Sequence, residues 1–61
     1  MNVYRVVIEV LRSDIHQMQV DIETPSVPVA EILARNRVRK ALPGCELGVT
    51  KSVTLLPHES V

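Results

Sequence analysis

The 61-residue sequence predicts a small α+β domain of the order strand, strand, helix, strand, with a three-stranded antiparallel sheet and one helix packed on one of its faces. Three observations predict it. Val3 to Leu11 is dense in β-branched residues, His16 to Thr24 alternates strictly between apolar and polar, and an apolar stripe of helical period lies between a proline pair and Pro43-Gly44. A single domain spanning 1–61 follows, with strands at about 3–11, 16–24 and 45–56, a helix at about 27–42 and a tail at 57–61.

The first strand places Tyr4, Val6, Ile8 and Val10 on one face. Its other face, Val3, Arg5, Val7, Glu9 and Leu11, is mixed, which suits a central strand whose second face is only partly covered. Arg12-Ser13-Asp14 breaks the run, and a hairpin loop of three to five residues leads into the second strand. There Met18, Val20 and Ile22 face one way and Gln17, Gln19, Asp21 and Glu23 the other. A one-residue slip would put the whole apolar set into water, so this segment sets the register of the sheet.

Two prolines in Thr24-Pro25-Ser26-Val27-Pro28 end the strand, because neither can donate to a ladder. Ser26 is the predicted N-cap, and Pro28 fits the first turn, where its missing N–H has no intrahelical partner to lose. At 100° per residue, Ala30, Ala34, Val38 and Ala41 form one stripe flanked by Leu33 and Leu42. The alanines allow a close approach to the sheet. Arg35, Asn36, Arg39 and Lys40 occupy the opposite side, with Ile32 among them, and Pro43-Gly44 stops the helix.

From Cys45 to Leu56 the strand pattern returns, with Cys45, Leu47, Val49, Val53 and Leu55 on one side. Lys51 interrupts that face, as a bulge, an overhanging end or an edge gatekeeper would. The order 2-1-3 makes the most apolar strand central and permits the usual right-handed crossover. The third strand is then an edge, and pairing two copies there through Leu47, Val49, Lys51 and Val53 extends the sheet to six strands in a dimer.

Self-association is expected because a chain this short buries only about 60% of its unfolded surface and usually needs a disulfide, a metal or a partner subunit. Cys45 is the only cysteine, and Cys45, His16 and His58 lack the paired spacing of a zinc site. With no Trp or Phe, the core is aliphatic, built beside a single Tyr4. Seven cations balance seven anions, which removes any global attraction to nucleic acid or an anionic membrane. No apolar run approaches the roughly 20 residues that span a bilayer, and no signal-peptide organisation precedes the first strand, so a cytoplasmic location is expected.

Three candidate sites remain. Arg35, Arg37, Arg39 and Lys40 lie within six residues and could contact phosphates, but they read first as a solvated face with Glu31-to-Arg35 pairing. Cys45 is a possible nucleophile, but a free cysteine at a strand start reads first as a small buried hydrophobe. Val3, Val7 and Leu11 form an apolar line on the open sheet face, bordered by polar residues in the manner of a protein-binding surface. The sequence resembles no family with motifs specific enough to name. It is expected to be a non-enzymatic accessory protein, a homodimer that binds another protein through the open face or through Ile32, without cofactor, metal, membrane or small-molecule substrate. The alternative is a nucleic-acid-binding dimer that uses Arg35, Asn36, Arg39 and Lys40.

Overall fold

Apolar and β-branched side chains on both of its faces make the first strand the middle of the sheet. In the computed structural model, which describes residues 2–57, β1 (Asn2–Leu11) lies between β2 (Gln17–Thr24) and β3 (Glu46–Leu55), antiparallel to both. One helix, α1 (Val27–Ala41), packs on one side. The predicted α+β architecture and the order 2-1-3 are therefore the observed ones, and the three strands and the helix begin and end within a residue of the expected positions. The tail from His58 onward lies outside the described residues.

β1 and β2 pair without interruption from Asn2 opposite Thr24 to Glu9 opposite Gln17. The hairpin loop, residues 12–16, closes where the Val10 N–H donates to the His16 carbonyl at 3.0 Å. Within it Arg12 adopts a φ of 55°, and the Ile15 N–H donates to Ser13 Oγ at 3.2 Å. Hydrogen-bonded and non-hydrogen-bonded pairs alternate along an antiparallel ladder. The Val10–His16 bond therefore turns the main-chain groups of Met18, Val20, Ile22 and Thr24 toward β1. Those of Gln17, Gln19, Asp21 and Glu23 point outward, along the free edge.

The core consists of Tyr4, Val6, Ile8 and Val10 of β1, Val20 and Ile22 of β2, and Ala30, Ala34 and Val38 of α1. Ser26 occupies the N-cap in extended backbone, but its hydroxyl makes no capping bond; its carbonyl accepts from the Ala30 N–H at 3.0 Å. Two members of the predicted stripe fall outside the core. Ala41 is exposed because the helix ends there, and Leu42 packs against the core in its place. Leu33 is 42% exposed because α1 packs most closely on β2, the edge strand, and among the described residues no further strand covers that flank.

β3 departs furthest from expectation. Its register against β1 shifts twice, between Val7 and Ile8 and again between Ile8 and Val10. Each shift inserts one extra residue into β3, and each reverses which residues face the helix. Val53 lies opposite Val6, but after the first bulge Thr50 lies opposite Ile8, and after the second Leu47 lies opposite Val10. Val49, predicted on the core face, is consequently 66% exposed. Lys51 marks the first bulge, one of the three readings its position allowed. Its Nζ donates to Gln17 Oε1 of β2 at 3.3 Å.

Thr50 occupies the core-facing position left by the bulges and ties α1 to β3. Its hydroxyl donates to Glu31 Oε1 at 3.0 Å and accepts from Arg35 Nη1 at 3.4 Å, all three residues being half-buried. Thr50→Val keeps the shape and removes both bonds. It is expected to cost about 1 kcal/mol in urea denaturation followed by circular dichroism.

Candidate interaction surfaces

Among the described residues, no other element covers the face of the sheet opposite α1. Val3 and Val7 lie half-buried along its centre and Leu11 is exposed at one end. Polar side chains tie β2 to β1 through Arg5 and Asp21 and to β3 through Gln17 and Lys51. The Arg5 guanidinium meets the Asp21 carboxylate with Nε–Oδ1 at 3.2 Å and Nη2–Oδ2 at 3.5 Å, both side chains being more than two-fifths exposed. A surface pair of this kind orders the side chains more than it stabilises the fold. The Glu9 side chain lies across Gly48, where a Cβ would overlap its carboxylate, so this glycine makes room for the neighbouring strand's acid. The result is a line of half-shaded valines between ordered polar groups, with Gln19 and Glu23 exposed along β2.

The outer surface of α1 is less uniformly basic than its sequence. Ile32 is 59% exposed, and Arg39 Nη1 donates to Asn36 Oδ1 at 3.5 Å, with Lys40 exposed beside them. Arg35 is not part of this surface. Its position on the helix flank toward β3 takes the guanidinium to Thr50, because the buried stripe Ala30-Ala34-Val38 is centred so that residues 31 and 35 overhang the third strand. Arg37 overhangs the other flank, and its Nη1 donates to the outward main-chain oxygen of Asp21 at 3.3 Å. That contact has no sequence signature, since its acceptor is a backbone carbonyl. A shallow, open groove of about 270 Å³ lies on this flank, lined by Leu33, Asn36, Arg37 and Lys40.

Leu47 and Val53, two of the four self-association candidates, are half-buried at the margin of the core, whereas Val49 and Lys51 are exposed at the bulges. Cys45 is half-buried beside the core and His16 is exposed in the hairpin loop. Among the described residues no group of three or more His, Cys, Asp or Glu side chains is gathered to hold a metal ion, and no helix is long and apolar enough to cross a membrane. No protein-family model matches the chain, and no curated protein or solved structure matches it significantly.

Proposed function

We propose that this protein is a non-enzymatic, cytoplasmic accessory protein, a homo-oligomeric binding module that engages another protein through the open face of its sheet. One observation carries the reading: among the described residues a single helix covers one side of the sheet, while Val3, Val7 and Leu11 run along the other side between polar neighbours. An apolar centre with a polar rim is the usual anatomy of a protein interface. The helix arginines support the nucleic-acid reading less well. Arg35 is bonded to Thr50 of β3 and Arg37 to the Asp21 carbonyl of β2, which leaves Arg39, bonded to Asn36, and Lys40 as the other cations of that surface. The overall charge of zero adds no long-range attraction to a polyanion.

The test is isolation of the tagged chain from its native host, with and without nuclease, as wild type, Val7→Asp and a combined Arg37→Ala, Arg39→Ala and Lys40→Ala variant. A stoichiometric protein that survives nuclease, is retained by the triple variant and is lost with Val7→Asp is the expected result. An unpaired charge at the centre of an interface is strongly unfavourable. Capture that vanishes with nuclease, or with the triple variant alone, overturns the proposal in favour of nucleic acid.

A further inference from the structure

β2 presents the one unbulged edge of this sheet, eight residues long, with the main-chain groups of Gln17, Gln19, Asp21 and Glu23 directed outward. The opposite edge, β3, is broken by two bulges, a known means of discouraging strand addition. We propose that a second copy of the chain pairs antiparallel with β2 about a two-fold axis at Val20. The product is a six-stranded sheet of order 3-1-2-2-1-3 with both helices on the same side.

The side chains select this register. With the axis at Val20, Gln19 lies opposite Asp21 of the second copy and Gln17 opposite its Glu23, so each carboxylate faces an amide donor. On the helix side, Val20 meets Val20 and Met18 meets Ile22. Moving the axis to Asp21 sets that carboxylate against its own copy and brings Pro25 opposite Gln17. Moving it to Gln19 pairs Glu23 with Ile15 of the loop. Like charges directly opposite one another weaken a ladder, whereas matched polar and apolar pairs strengthen it.

The helix supplies a second, continuous surface. Leu33 lies one turn before Arg37, on the flank that overhangs β2, and the groove it lines with Asn36, Arg37 and Lys40 opens on that side. The two-fold axis brings these flanks toward one another with the helices antiparallel, so that each Leu33 faces the other copy's Leu33 flank. Arg37 does not block the edge, because the Asp21 oxygen has two lone pairs and can accept from both the guanidinium and the incoming Gln19 N–H. The dimer uses an edge and leaves Val3, Val7 and Leu11 uncovered. Its failure and the failure of the open-face reading are therefore separate results.

Sedimentation equilibrium of the full chain from micromolar to submillimolar concentration tests the pairing. Wild type is expected to dimerise. Gln19→Glu, which sets a carboxylate against Asp21 twice in each dimer, should raise the dissociation constant about tenfold, and Gln19→Lys should lower it several-fold. Both variants place an exposed side chain at an edge, and unchanged circular dichroism verifies their fold. A register readout comes from Val20→Cys with Cys45→Ser. Directly opposite residues of a non-hydrogen-bonded pair lie about 4.5 Å apart at Cα, within disulfide range, so this variant should cross-link copy to copy under mild oxidation. A wild-type monomer throughout the range, a dimer indifferent to the charge at position 19, or a dimer lost only on substitution in β3 each overturns the proposal.

Discussion

Ile8→Ala is expected to remove about 2–5 kcal/mol of folding stability, and Ile22→Ala a similar amount. Ile8 is completely shielded from solvent at the middle of the central strand, with Met18 opposite on one side and Thr50 on the other. Truncation loses the transfer energy of its aliphatic carbons and leaves a cavity that rigid neighbours on both strands cannot fill. A domain of this length has about 3–9 kcal/mol in total, so either substitution unfolds a substantial fraction of the protein. Chemical denaturation at fixed protein concentration, followed by circular dichroism, gives the comparison, with Ile32→Ala on the outer face of α1 changing stability by less than about 0.5 kcal/mol. Equal losses at positions 8 and 32 would invalidate the assignment of faces.

Ala34→Leu is expected to cost about 1–3 kcal/mol, although it adds apolar surface to a helix position and leucine is a good helix former. Ala30 and Ala34 are both fully buried, and the small radius of these residues is what lets α1 sit close to the sheet. A leucine at position 34 forces the helix outward or its own side chain off-rotamer. The same change at Ala41, which is exposed, should be nearly neutral, and measuring the two together separates overpacking from helix propensity.

Where alternation alone decides the outcome, the sequence was sufficient. β1 and β2 have unbroken period-two patterns, and both pair in unbroken register. β3 has the same kind of pattern, yet its bulges moved Val49 off the core face and put Thr50 there. The parity of a strand with extra residues depends on what its partner offers, and β1 lies some forty residues earlier. Lys51 was the visible sign that the alternation would fail, without showing that it would fail twice. The helix followed the same division. Its buried stripe was legible at Ala30, Ala34 and Val38, but the lean of the helix toward β2 decided that Arg35 would reach Thr50 and that Leu33 would be left uncovered. Period two put Val3, Val7 and Leu11 on one face of β1, and the placement of the helix on the other face leaves Val3 and Val7 half-buried and Leu11 exposed.

The placement of β1 between β2 and β3 also governs how the chain assembles. The β1–β2 hairpin brings together residues no more than 22 positions apart, whereas Tyr4 finds Leu55 only across 51. Closing the longer loop carries the greater entropic cost and is the slower event. A nascent chain can therefore form the hairpin and dock the helix on it while one edge of the central strand still waits for its partner. During that interval the outward main-chain groups of Val3, Arg5 and Val7 are bonded only to water. The exposure ends when β3 arrives, and the Leu56 N–H then donates to the Val3 carbonyl at 2.9 Å, fastening the final strand to the beginning of the first.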